Sequence, residues 1–288
     1  MKIVYIAGYG HSGSTLYGVI LGAAKGHLNA GELYRLGGNE AVPRFDAPLA
    51  DPQLEAVRKR LRAFVASNAQ IRSSTGALES VLSFRGNGSL VTASRYNKYW
   101  QGIFDVIARE TGAEILIDSS KTAWGQLRRP QLLRQAGHDV SIIHLVKDPR
   151  SLMCSRETKK GRVIGLKSLL GWAMTNWGTW RLYSSWGPHY MVSFYEEFTA
   201  SPQDELNVIE TFIGTDLSAV QARLAAGRGF DPGLQFGGNR AGRHPEVFWR
   251  PPPPSKGART RLCQIIGSMA MPLFFFLAKQ KTRGRPQR

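Results

Sequence analysis

The chain has 288 residues, 42% of them hydrophobic, which is enough for one large α/β domain or two small ones and excludes intrinsic disorder as its main state. Its 38 Lys and Arg against 21 Asp and Glu give a formal charge of +17, which favours an anionic partner: a nucleotide, an acidic glycan, nucleic acid or an anionic membrane surface. Cys154 and Cys263 stand alone and far apart, so neither a disulfide framework nor a cysteine metal site is indicated, and a reducing cytoplasm fits.

In chain order, Lys2–Ala7 is a β-rich apolar run, too short for the core of a signal peptide, and reads as a first strand. Residues 8–13 form a glycine loop, and 14–24 have helical character with Leu16, Ile20 and Leu21 on one side. The stretch Gly8-Tyr9-Gly10-His11-Ser12-Gly13-Ser14-Thr15 has the spacing of a Walker A loop, two glycines bracketing four residues before a hydroxyl pair. Such glycines let backbone N–H groups converge on a phosphate, and the helix starting near Ser14 adds its positive end. Ser14, however, stands where the loop lysine of a nucleotide kinase would be, and a kinase needs that lysine on the transferred phosphate.

Shortly after this helix, Asn29-Ala30-Gly31-Glu32-Leu33 offers the carboxylate of Glu32. Residues 39–112 read as helices with loops and carry no nucleotide signal, which suits an acceptor-side insert over 39–100. Strands are expected at 114–117, running into Asp118-Ser119-Ser120-Lys121; at 140–146, running into Lys147-Asp148-Pro149-Arg150; and at 189–194, ending at Tyr195-Glu196. Strands alternating with helices imply a parallel sheet, and in such sheets ligands bind beyond the carboxyl ends of the strands, where each polar cluster lies. Within 169–186, Trp172, Trp180 and Tyr183 share a helical face with Trp177 beside it, read as core packing with an aromatic acceptor platform as the alternative. The run Pro251 to Pro254 is a stiff break that separates a catalytic domain, 1–250, from a basic appendage, 251–288. The apolar stretch 262–278 is interrupted by Gln264, Gly267 and Pro272, so it reads as a buried or amphipathic terminal helix, with peripheral membrane contact as the alternative.

The His11-Ser12-Gly13-Ser14-Thr15-Leu16 segment resembles the 5′-phosphosulfate loop of the sulfotransferase family, in which an arginine usually stands at the position of His11. The resemblance implies an α/β, P-loop-like three-layer fold with a central parallel sheet flanked by helices. It also implies 3′-phosphoadenosine 5′-phosphosulfate (PAPS) as sulfuryl donor, adenosine 3′,5′-bisphosphate (PAP) as its product and a hydroxyl-bearing acceptor, a carbohydrate or lipid-linked one by preference. Gly10, His11 and Ser12 to Thr15 would hold the 5′-phosphate. Sulfuryl transfer tolerates the missing lysine, because the moving group carries one negative charge and needs no divalent metal. The segment ending in Lys147, followed by Ser155 eight residues later, is similar to the family's 3′-phosphate motif, with lysine for the usual arginine and Arg150 as an added cation.

Three shorter likenesses extend the match. Phe194-Tyr195-Glu196-Glu197-Phe198 is similar to a segment whose tyrosine lies near adenine, Gly237-Gly238-Asn239-Arg240 with Arg243 and Trp249 to a late loop closing over the nucleotide, and Asp118 to Lys121 to a strand-end motif. A Gly-Glu pair at Gly31-Glu32 recurs in branches where the glutamate is the general base, so Glu32 is the expected base, with His11 and Lys121 steadying charge on the leaving group. The expected localisation is cytoplasmic, without a nucleic-acid partner. The competing readings are a P-loop kinase with Asp118 on a metal, and a non-enzymatic basic module bound to lipid or nucleic acid through its tail.

Overall fold

The structure is a computed structural model that describes residues 1–37, 49, 51–72, 75, 90–122, 125–152, 162–237 and 244–249. Ser155, Gly238, Asn239, Arg240, Arg243, the proline run and the 262–278 stretch therefore lie outside the described residues.

Five parallel strands, β1 (Lys2–Ala7), β2 (His27–Gly31), β3 (Ile115–Asp118), β4 (Asp139–Val146) and β5 (Tyr190–Phe194), form one sheet in the order β2-β3-β1-β4-β5. The three strands read from 114, 140 and 189 are present with ends shifted by one residue, whereas β2 was not expected from its sequence. The central strands read as unbroken apolar runs because both their faces are buried. Ile3, Tyr5 and Ala7 of β1 enter one core and Val4 and Ile6 the other; Val140 and Ile142 of β4 likewise oppose Ile143 and Leu145.

The first core is covered by α2 (Pro52–Ser67), α3 (Leu90–Thr111) and α4 (Arg129–Gln135). Helix α2 starts at Pro52 because the Asp51 side chain accepts from the Gln53 and Leu54 N–H groups at 2.7 and 3.4 Å, and it buries Val57, Leu61 and Val65 at helical spacing. The second core is covered by α1 (Ser14–Gly22), α6 (Tyr195–Ala200), α7 (Pro202–Ile213) and α8 (Ser218–Ala225). Sheet and two helical layers make the three-layer α/β fold that the resemblance implies.

A further helix, α5 (Arg162–Tyr183), packs with Trp172, Asn176, Thr179 and Tyr183 inward. Trp172 and Tyr183 are thus core residues, as expected, while Trp177 is exposed. Among the described residues no helix is long and apolar enough to cross a membrane.

Strand order fixes where a ligand fits. The chain leaves β1 toward the β2 edge and leaves β4 toward the β5 edge, so these two adjacent strands flank the topological switch point, beyond whose carboxyl ends such sheets form their ligand crevice.

Candidate active site

At the tip of β1 the chain passes so close to β4 that a Cβ on Gly8, at φ 128°, would lie 2.3 Å from the Leu145 carbonyl oxygen. Only glycine permits that approach. The turn after β3 locks the loop from the other side: the Gly8 N–H donates to Thr122 Oγ1 at 3.1 Å and the Thr122 N–H to the Gly8 carbonyl at 3.2 Å. His11 is exposed at φ 71°, Gly13 adopts φ 99°, and α1 begins with the Tyr17 N–H donating to the Gly13 carbonyl at 3.1 Å. Ser12 and Ser14 are buried, and no acidic side chain stands in the first turn of α1. The hydroxyl of Ser12 is buried without a hydrogen-bond partner, a group ready to meet an anion at the helix start.

Beyond β5, the Tyr195 ring lies against this loop, since a Cβ on Gly13 would sit 2.5 Å from two of its carbons. Lys147, at the tip of β4, places Nζ 4.1 Å from the centre of the same ring. Burial pushes the Lys147 ammonium below its ordinary pKa against the pull of Glu196, so a phosphate would find a partly desolvated cation there. The Glu196 carboxyl is raised by burial; one oxygen accepts from the Asp148 N–H at 3.0 Å and the other is buried without a partner. Arg150 is half-exposed and chelates Asp148, Nε to both carboxylate oxygens at 3.0 and 2.9 Å, so in this arrangement its guanidinium faces Asp148. Helix α5 closes the far wall: Trp172 Nε1 donates to the Lys147 carbonyl at 2.9 Å, and a Cβ on Gly171 would lie 2.9 Å from the Tyr9 hydroxyl.

On the β2 side, Glu32 follows Gly31 directly and is 4% exposed. Its N–H donates to the Phe236 carbonyl at 2.7 Å, so the returning segment holds it from behind. Oε2 accepts from Arg35 Nε at 2.7 Å and Oε1 from Lys121 Nζ. Burial raises the Glu32 pKa, but attraction and hydrogen bonding to Lys121 and Arg35 outweigh it and hold the carboxyl below its ordinary range.

Lys121 adopts φ 67°, with its carbonyl accepting from the Tyr5 hydroxyl. One residue on, Thr122 holds Gly8, so a short turn connects the Glu32 carboxylate to the phosphate loop. That turn is set by Asp118, which is fully buried and accepts from the Ser120 N–H and hydroxyl, with Arg129 Nη2 at 3.4 Å. The Arg129 guanidinium lies 3.8 Å from the Trp100 ring centre.

Of the residues expected at the site, Gly10 to Thr15, Lys147 and Tyr195 gather at the β1–β4 crevice, with Glu32 and Lys121 paired on its β2 side. Gly237, where the late loop departs, approaches Arg35 and Glu32, and the chain returns at Val247, paired with Phe230, and at Trp249, 5.2 Å from Phe198 of α6. The sequence reading missed Arg35, one 3₁₀ turn after Glu32 and readable as an i,i+3 pair, and Thr122, which follows Lys121 but reveals its role only once β3 lies beside β1.

No protein-family model matches the chain, and no curated protein matches it. Among solved structures, the sulfotransferase domain from the curacin biosynthetic pathway is similar with a TM-score of 0.53 at 16% identity, covering 94% of this chain and 97% of that one. The sulfotransferase domain from the Synechococcus PCC 7002 olefin synthase gives 0.46 at 19% identity over 76% and 75% of the two chains. Sulfotransferase STF1 from Mycobacterium tuberculosis H37Rv gives 0.49 at 12% over 77% and 70%. The likeness to the curacin-pathway domain runs almost end to end, and on that ground this chain has the P-loop-like α/β fold of a sulfotransferase domain.

Proposed function

We propose that this chain is a sulfotransferase that carries the sulfuryl group of PAPS to an acceptor hydroxyl. The observation that carries the reading is the meeting of the glycine loop, Tyr195 and Lys147 at the carboxyl ends of β1 and β4, with a buried, ionised Glu32 one turn of chain away. The fit to a doubly phosphorylated nucleotide rests on the partnerless Ser12 hydroxyl at the start of α1 and the desolvated Lys147, two anion cradles on neighbouring strands.

Bound PAPS would supply an activated sulfuryl group and take up the bond electrons on its 5′-phosphate. The N–H groups of Ser14 and Thr15 and the Ser12 hydroxyl would hold that phosphate, Lys147 the 3′-phosphate, and Tyr195 the adenosine between them. Glu32 would accept the proton of the acceptor hydroxyl, an oxygen that Lys121 yields as the acceptor arrives. Lys121 would then stand beside the reacting oxygens, and His11, exposed at the loop, would face the departing phosphate.

The kinase reading loses its metal ligand, because Asp118 is fully buried and taken by Ser120 and Arg129. The test is incubation of the protein with sulfur-labelled PAPS and fractionated glycan and lipid extracts, followed by mass spectrometry. A labelled product that requires Glu32 supports the reading; phosphorylated product from ATP and magnesium would replace it.

A further inference from the structure

Helix α5 carries three of the large hydrophobic side chains exposed among the described residues: Leu170 at 57%, Met174 at 67% and Trp177 at 53%. Their spacing of four and three residues puts them on one stripe, opposite the packed face. That face leaves the helix no freedom to roll the stripe inward: Asn176 Oδ1 meets His144 Nε2 at 3.0 Å, the Thr179 and Thr122 hydroxyls meet at 2.6 Å, and Trp172 is bonded to the Lys147 carbonyl. Trp177 is further braced by Trp180, ring centres 5.1 Å apart.

The charges carried by α5 itself have one sign. Lys167 and Arg181, both exposed, stand about one turn before Leu170 and one turn after Trp177, and the 22 residues of α5 contain Arg162, Lys167 and Arg181 but no Asp or Glu. Apolar side chains ending in a tryptophan, bounded at both ends by long cationic side chains, match the layering of an anionic bilayer surface: acyl boundary for the stripe, headgroup phosphates for the cations.

We propose that α5 docks this chain on anionic lipid bilayers through Leu170, Met174 and Trp177, with Lys167 and Arg181 on the headgroups. The stripe is separate in sequence from the 262–278 stretch, and the proposal stands whether or not the chain transfers a sulfuryl group. Docked in this way, the Lys147 side of the crevice lies about one helix diameter, ~10 Å, from the headgroups.

The test is cosedimentation of the full-length chain with phosphatidylcholine vesicles with and without about 30% phosphatidylglycerol. The wild type should bind the anionic vesicles. Leu170→Gln/Met174→Gln/Trp177→Gln should lower the partition coefficient about a hundredfold, each half-exposed side chain giving up about a factor of five. Its thermal midpoint should match the wild type. Lys167→Gln/Arg181→Gln, which leaves every packed side chain in place, should lower binding to anionic vesicles about twentyfold and leave neutral vesicles unaffected. Failure of the wild type to bind, or retention of wild-type binding by both variants, overturns the proposal. So does a wild type that dimerises through the stripe and ignores vesicles.

Discussion

Replacing Glu32 by Gln removes the one anion from a cluster of three charges while keeping the side chain's shape. Both carboxylate oxygens are occupied, Oε2 by Arg35 at 2.7 Å and Oε1 by Lys121, and an amide offers only one acceptor to two cations. Breaking a buried pair costs about 3–5 kcal/mol. Arg35 and Lys121 retain 34% and 17% of their side-chain exposure, so water recovers part of this and about 2 kcal/mol is expected. For a chain of this size that lowers Tm by roughly 4 °C near neutral pH.

The sign of the pH dependence follows from the depressed Glu32 pKa. Its stabilisation is complete above the unfolded-state value of about 4.3 and is lost as pH falls toward the folded value, by about 1.4 kcal/mol per pH unit between them. Urea midpoints of the two proteins should therefore stay a constant distance apart from about pH 7 to about pH 5 and converge below that. A gap that is unchanged at about pH 3.5, or that opens there, would refute an ionised, paired Glu32. With an acceptor in hand, the same variant should lose about 10²- to 10⁴-fold in transfer rate and keep its affinity for PAP.

Two further substitutions probe the nucleotide cradle. Gly13→Ala combines a left-handed φ with a Cβ 2.5 Å from the Tyr195 ring, so it should cost about 1–2 kcal/mol of stability and, by displacing the ring, more than about tenfold in PAP affinity. Gly10→Ala, whose Cβ meets nothing within 4 Å, should melt like the wild type. Lys147→Met should weaken PAP binding by about ten- to a hundredfold, the loss of one charge-assisted bond, yet leave the melting midpoint unchanged or slightly higher because a desolvated charge is gone.

The first strand, the glycine loop and α1 were legible because strand, turn and helix signals follow one another without interruption, and the loop's function depends on local backbone alone. Strand β2 was not: His-Leu-Asn-Ala-Gly has poor strand propensity, and it is extended because it pairs with β3 on one side while residues 234–236 bond to Asn29 and Ala30 on the other. Glu32 and Lys121 were each singled out, but their pairing across 89 residues could be found only once β2 and β3 were neighbours. Arg150, read as an added phosphate cation, also has a local partner that the resemblance did not supply, the Asp148 carboxylate two residues before it. The fully buried Asp118 and Arg129, 11 residues apart, left no sequence signal of their pairing, since charge patterning gives no measure of burial.

The proposed activity requires that two anion cradles at neighbouring strand tips grip one doubly phosphorylated adenosine. Calorimetric titration of PAP into the full chain, in chelator and without divalent metal, tests it most directly. One molecule should bind per chain, with the affinity reduced by Lys147→Met and by Gly13→Ala. No binding, or binding that appears only with magnesium and is indifferent to Lys147, would contradict the account.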